Sequence, residues 1–235
     1  FGMHDCKPVG MPYGNVKECQ KPTSELMEPK MAASFRTAVG KLMWITPTRT
    51  DLLFITKELA RRVAGPYAED WARLKKVLRY FKGTAGASLH LAVDPESTTP
   101  RLVAVVDAAW ASTAGCKSTS GGYISIEGFL LHEWSRTQPT ISQSSTEAEL
   151  VAINYGACEL LIAKSILDEM KFATVCVLVS DSQATLDIVK RRGLGRMRCL
   201  ELKSALAPGG HCPVNRIEVI SLTPVFVAAN SSLFP

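Results

Sequence analysis

The chain is 235 residues long with 46% hydrophobic and 21% charged residues, enough to bury a core and of a length that fits one long domain or a domain with a sizeable flanking piece. Its net charge of +5, from 27 Lys and Arg against 22 Asp and Glu, is a mild basic excess with no basic tail. Seven cysteines without a CxxC pair argue against a disulfide framework or zinc ribbon and for a reducing interior, and no pair of the four histidines stands in an HExxH spacing.

Residues 1–33 are rich in Pro, Gly, Lys and Glu. Pro8, Pro12, Pro22 and Pro29 oppose a long helix, so an extended connector is expected. From Ser34, a candidate cap, the pattern turns helical, with Phe35, Val39, Leu42 and Met43 on one face and Pro47 as the stop. A second helix is expected after Thr50 and Asp51, running to about Val63 before Gly65-Pro66. A third, roughly Glu69 to Phe81, sets Trp71, Leu74, Val77, Leu78 and Phe81 against a cationic face of Arg73, Lys76, Arg79 and Lys82.

Near residue 89 the character changes. A short Leu89 to Val93 strand precedes Arg101 to Asp107, an apolar run of strand length ending in a carboxylate. Gly121 to Ile126 and Phe129 to Ser135 read as a hairpin turning at Glu127-Gly128. The longest helix, about Ser145 to Met170, follows. Its apolar stretch from Leu150 to Leu167 is interrupted by Asn154, Glu159 and Lys164, so no membrane span is expected. Val175 to Ser180 is a second continuous apolar strand, Asp181 follows at once, and Ser182 opens another helix. Strand, hairpin, helix, strand, helix is a mixed α/β order. No secretory leader pattern opens the chain, and Phe1 reads as mid-sequence, as in a fragment of a longer polypeptide.

Three acids occupy positions that a core does not require. Asp107 and Asp181 end apolar strands, and Glu149 lies in the first turns of the long helix. Parallel pairing of the two strands brings their C-terminal ends together, the edge of an open sheet where ligands gather. Oxygen ligands without histidine or thiol suit Mg²⁺ or Mn²⁺, and two such ions activate water and stabilise a departing oxygen in phosphodiester hydrolysis. The plain alternative is helix capping, which Asp181 before Ser182-Gln183 is placed to perform. Charge is also uneven. Residues 57–82 hold eight Lys and Arg against three acids, and residues 190–203 six against one. Each excess equals the whole net charge, so the remainder is mildly acidic. Basic flanks near carboxylates suit a polyanion, with solvated helix faces as the alternative.

The motifs DAAWA (107–111), KSTSGGY (117–123), SQSSTEAELVA (142–152) and SDSQA (180–184), in that order, resemble the ribonuclease H domain of copia-type LTR retrotransposon Pol polyproteins. FGMHDCKPVGMP (1–12), SFRTAVGKLMWITPTRTDL (34–52) and ARLKKVLRYFKGT (72–84) resemble the end of the reverse transcriptase and its tether in the same family. The resemblance implies a ribonuclease H-like mixed α/β sheet with flanking helices, preceded by a small helical tether region. It divides the chain into a connector at the end of the reverse transcriptase (1–33), a helical tether (34–88), a ribonuclease H-like domain (89–203) and an atypical tail (204–235).

By the same resemblance Asp107, Glu149 and Asp181 are the catalytic, metal-binding residues, with Glu147 as the fallback for Glu149. The implied cofactor is two Mg²⁺ or Mn²⁺ ions and the implied substrate an RNA–DNA hybrid, recognised by shape and 2′-hydroxyls. The other implied partner is the remainder of the Pol polyprotein, including its reverse transcriptase, with no membrane partner and an intracellular location. Lys117, Ser118, Thr119 and Ser120 match a loop expected to touch the hybrid, and Ser144 and Ser145 are expected to bind phosphate or cap the helix. Trp110 and Trp134 read as core residues, with base stacking as the alternative.

The chain departs from the family pattern in three places. Ala109 stands where a second Asp is usual, and Cys199 and Glu201 replace a histidine and an acid in RMRCLELK (196–203). After Lys203 the resemblance stops. The tail contains no Asp, so a fourth carboxylate and the final strand are expected to be missing, with Glu218 a candidate substitute. Codons for Ala205 to Gly210 read one base later can give Leu-Trp-Leu-Gln-Glu-Ala, closer to a family helix, which makes a shifted reading frame the expected cause. Sequencing the locus tests it.

Overall fold

The structure is a computed structural model that describes residues 3, 5–13, 25–87, 100–113, 115–190 and 217–221. The expected Leu89 to Val93 strand, the segment 191–203 and most of the tail lie outside these residues. The chain divides into two compact units, Phe1–Leu89 with Ser112–Gly115, and His90–Ala111 with Cys116–Pro235.

The first unit is helical. Helix α1 spans Pro29–Ile45 and starts at Pro29 itself. A proline is a stop inside a helix but a good first residue, because the N–H it lacks has no helical partner there. The expected start at Ser34 is therefore corrected: Ser34 lies within the helix and its Oγ donates back to Lys30 O at 3.3 Å. Two short 3₁₀ turns, Thr46–Thr48 and Thr50–Leu52, lead into α2 (Leu53–Ala60), and α3 covers Ala68–Gly83. Phe35, Val39 and Leu42 pack with Leu52, Ile55, Leu59, Leu74 and Val77, whereas Met43, expected on that face, is exposed.

Much of the cationic face of α3 is engaged within the unit. Arg73 Nη1 donates to buried Asp70 at 2.9 Å, and Asp70 also accepts the N–H of Tyr67 at 2.9 Å, closing the start of the helix. Arg79 Nε donates to Lys7 O at 2.7 Å and Lys82 Nζ to Cys6 O at 2.9 Å. The basic residues thus tie an extended N-terminal segment to the helix. Arg49 forks onto Asp51 at 3.0 and 2.8 Å and donates to Thr84 O at 3.1 Å, with Phe81 stacked 5.1 Å away.

The second unit is a five-stranded mixed sheet in the order β3-β2-β1-β4-β5. The strands are β1 (Arg101–Ala109), β2 (Thr119–Ile126), β3 (Phe129–Thr137), β4 (Val175–Ser180) and β5 (Ile217–Ser221). β2 runs antiparallel to β1 and β3, while β4 is parallel to β1 and β5 to β4, so one strand is reversed against the other four. Glu127 and Gly128 take φ of 46° and 86°, the left-handed pair that a tight hairpin requires. The expected loss of the final strand is not found, because Ile217–Ser221 pairs with β4 over five residues.

Helix α4 (Ser145–Glu169) lies across one face, and α5 (Gln183–Lys190) follows β4. Ile153, Ala157 and Leu160 pack on Leu102, Ala104, Val106, Ile124, Trp134 and Leu178. The other sheet face buries Val103, Val177 and Val179. Burial on both faces explains why β1 and β4 read as unbroken apolar runs. α4 is by length and composition apolar enough to cross a membrane despite its interrupting polar residues, a property that the core helix of a folded unit shares. Its buried stripe marks it as the core helix of this unit.

Gly156 lets α4 lie close to β1: a Cβ there would sit 2.3 Å from Val106 Cγ1. Gly156→Ala is expected to destabilise by about 1–2 kcal/mol. The overpacking cost of roughly 1–3 kcal/mol on a stiff β-branched neighbour outweighs the gain of up to ~1 kcal/mol in helix propensity. Urea unfolding measures it, and a stabilised variant would remove close packing as the reason for this glycine.

Candidate metal centre and carboxylate site

β1 and β4 are parallel neighbours whose last paired residues are Val106 and Ser180, so Asp107, still paired with Gly121 of β2, and Asp181 come next side by side where the two strands part. Glu149 comes from the second turn of α4, which packs on β1 and β4. One carboxylate oxygen from each of Asp107, Glu149 and Asp181 lies within 4.8 Å of the others. Asp107 and Asp181 are exposed and Glu149 is 9% exposed.

The N–H of Ala108 donates to Asp107 Oδ1 at 2.8 Å and to Glu149 Oε1 at 3.3 Å. Glu149 Oε2 is buried with no hydrogen-bond partner. Burial first, then the charges of Asp107 and Asp181, push the Glu149 carboxyl up to about 7, against the opposing pull of the Ala108 N–H. None of the ion pairs among the described residues involves these acids. The result is three clustered carboxylates, one of them nearly buried, with an unpartnered oxygen. That donor set fits a hard divalent cation.

Local chemistry separates the candidates that sequence alone left together. Glu147 Oε2 accepts the N–H of Gln143 at 2.7 Å, and Ser144 Oγ accepts the N–H of Glu147 at 3.2 Å, so both belong to the start of α4. Two helical positions further on, Glu149 faces the sheet. The turn into α5 is closed by Ser180 Oγ, which accepts the Ser182 N–H at 3.3 Å, and by Ser182 with Thr185 at 2.7 Å. Serines therefore do the capping open to Asp181.

Ser118, Thr119 and Ser120 are buried at 0%, 5% and 4% exposure, which corrects their expected role as direct hybrid contacts. Ser118 Oγ accepts the Ala111 N–H at 3.1 Å and Ser120 Oγ accepts from Gln138 Nε2 at 2.9 Å. Lys117 is half-buried and Ser145 exposed. Trp134 is core, as expected, while Trp110 is 50% exposed with its Nε1 donating to Ser142 O at 3.0 Å. Glu218 sits opposite Val177, four positions before Asp181, or roughly 13 Å along the strand, so its backbone position is away from the acids.

Sequence reading missed Gln138 and Ser142, both buried. Their hydrogen-bond partners lie up to 32 residues away, so the local sequence does not show what they hold, even where Ser142 opens the SQSSTEAELVA motif.

No family model matches the chain. It is 32% identical over 160 residues to an uncharacterized mitochondrial protein of Arabidopsis thaliana, AtMg00810, covering 68% of this chain and 64% of that protein. Over 197 residues it is 30% identical to the retrovirus-related Pol polyprotein from transposon TNT 1-94 of Nicotiana tabacum, covering 81% of this chain and 14% of the polyprotein. The chain thus spans less than two thirds of either relative. The solved structure of LC11-RNase H1, isolated from compost, matches at a TM-score of 0.40 and 18% identity over 57% of this chain and 91% of that one. The fold rests instead on the chain's own sheet order with its single reversed strand. With most of its length matched to a Pol polyprotein and the motif-bearing strands in this order, the chain is related to the copia-type retrotransposon Pol polyproteins, and its second unit is ribonuclease H-like.

Proposed function

We propose that the second unit hydrolyses the RNA strand of RNA–DNA hybrids with two divalent cations, Mg²⁺ or Mn²⁺, held by Asp107, Glu149 and Asp181. The observation that carries this reading is the meeting of three carboxylates within 4.8 Å, with one buried oxygen unpartnered. Bound cations would polarise the scissile phosphate and supply a water nucleophile at neutral pH. The chain's own part is to hold the acids in place. Asp107 is fixed within β1 by its pairing with β2, Asp181 directly follows β4, Glu149 is carried by a helix packed on both strands, and the Ala108 N–H orients Asp107 and Glu149 together.

Selectivity for a hybrid would rest on groove shape and 2′-hydroxyls, with the bases unread. Lys117, just before β2, and Ser145, the first residue of α4, are the residues proposed to meet the backbone. The remainder of a Pol polyprotein, with its reverse transcriptase, is the proposed covalent partner.

The test is incubation of the protein with an end-labelled RNA–DNA hybrid and Mg²⁺. Cleavage of the RNA strand alone is expected, abolished by chelation and weakened by rising salt as counterions compete. Cleavage that persists in chelator would overturn the assignment.

The absence of Asp from the tail favours a second reading, a remnant that binds hybrids without cutting them. Salt-sensitive hybrid binding with no Mg²⁺-dependent product would establish it.

A further inference from the structure

Beside the acids lies a buried amide that the hydrolytic reading leaves unused. Gln138 follows β3 directly and is 3% exposed. Its Nε2 donates to Ser120 Oγ at 2.9 Å and to Ala148 O at 2.8 Å, and its Oε1 accepts from Ser142 Oγ at 2.9 Å. Its backbone N–H donates to Ser118 O at 2.8 Å. The circuit continues outward, with Ser118 Oγ accepting the Ala111 N–H at 3.1 Å and Ser142 O accepting from Trp110 Nε1 at 3.0 Å.

This circuit ends on both sides of the carboxylates. Ala148 immediately precedes Glu149, while Trp110 and Ala111 follow Asp107 by three and four positions. The contacts of α4 with the main apolar cluster begin at Ile153, a full turn beyond Glu149, and nearer the acid the helix buries only Ala148, Leu150 and Ala152 among its apolar residues. At its first turns the helix carries an acid that faces two others, with nothing of opposite charge among the described ion pairs to hold it there. Repulsion among the three acids therefore works against the burial of Ala148 and Leu150 at that end of α4.

We propose that Gln138 is a positioning residue: its amide pins the first turns of α4 to β2 and so holds Glu149 beside Asp107 and Asp181 before any cation arrives. This rests on the reading of those acids as a cation site. Both amide protons are used, on a strand hydroxyl and a helix carbonyl, so the side chain sets the spacing between the two elements. An apolar residue of the same length fills the space without setting it.

The experiment compares wild type, Gln138→Met and Leu160→Ala in the full chain. Leu160 is buried in the core of α4 away from the circuit, so its truncation controls for lost stability. Mn²⁺ affinity is measured by calorimetry, and amide hydrogen exchange in the first two turns of α4 is followed in the metal-free protein. Gln138→Met is expected to raise the Mn²⁺ dissociation constant at least ~10-fold, the usual scale for residues that orient metal ligands, and to speed exchange there. Leu160→Ala is expected to lower the melting temperature at least as much without either local effect.

Wild-type Mn²⁺ affinity in Gln138→Met, or an equal loss in Leu160→Ala, overturns the proposal. Asp107→Asn distinguishes the underlying reading: if it binds Mn²⁺ like wild type, the cation site itself fails. Hydrogen exchange then still decides whether Gln138 pins the helix, with unchanged rates in Gln138→Met overturning it. Should Gln138→Met not fold, Ser142→Ala removes one bond of the circuit and is expected to shift affinity and exchange in the same direction by a smaller factor.

Discussion

Asp107→Asn is expected to abolish Mg²⁺-dependent cleavage of the RNA strand while leaving the metal-free protein at least as stable as wild type. The two effects have opposite signs for one physical reason. Without a cation, Asp107, Glu149 and Asp181 repel one another within 4.8 Å, and Glu149 carries the cost of burial as well. Replacing one carboxylate by an amide of the same shape removes a repulsive charge, and the Glu149 carboxyl moves back toward its ordinary range. With a cation the same substitution removes a ligand. The loss in rate should exceed the ~10–100-fold seen when only a supporting partner of a metal ligand is lost. Hybrid cleavage assays and melting curves in chelator measure the two halves. Equal cleavage rates for wild type and Asp107→Asn would remove Asp107 from the mechanism, and a large loss of metal-free stability would make it a structural residue instead.

What was legible in the sequence was what local patterns encode. An apolar run that stops at an acid marked Asp107 and Asp181, because β1 and β4 are buried on both faces and a charge can stand only where their mutual pairing ends. Choosing Glu149 over Glu147 came from the family match, and the helix phase explains it: one acid closes the start of α4, the other faces the sheet. What was misread depended on partners far along the chain. Ser118 and Ser120 match a loop expected to touch the hybrid, yet their hydroxyls are satisfied by Ala111 and Gln138, seven and 18 residues away. Pro29 reads as a breaker until it is known to be the first residue of α1. The last strand was written off because the text after Lys203 departs from the family, but Ile-Glu-Val-Ile-Ser needs only a β-capable run to pair with β4. The same tail carries no Asp, so a strand at the sheet edge coexists with a site of three acids.

The second large effect is a coupling between protons and metal at Glu149. In the metal-free fold its carboxyl is raised from 4.5 to about 7, so the folded state holds a proton that the unfolded chain has already released. The favourable contribution is fully present below the unfolded value of 4.5 and is lost as pH rises through about 7. Stability of the metal-free protein is therefore expected to decline between those values, and Glu149→Gln, which cannot titrate, should flatten the decline. A cation requires the ionised form. Below about 7 its binding must displace the proton, so its dissociation constant is expected to rise about tenfold for each pH unit of acidification, and above about 7 to level off. Calorimetry in buffers of different ionisation enthalpy measures the release directly: close to one proton per binding event on the acid side and close to none well above neutrality. The thermal shift produced by Mg²⁺ or Mn²⁺ should grow across the same range, because the repulsion on Glu149 that the cation relieves exists only once that carboxyl is charged. A pH-independent affinity would show that Glu149 stays outside the cation's coordination, and hybrid cleavage would then have to run on Asp107 and Asp181 alone.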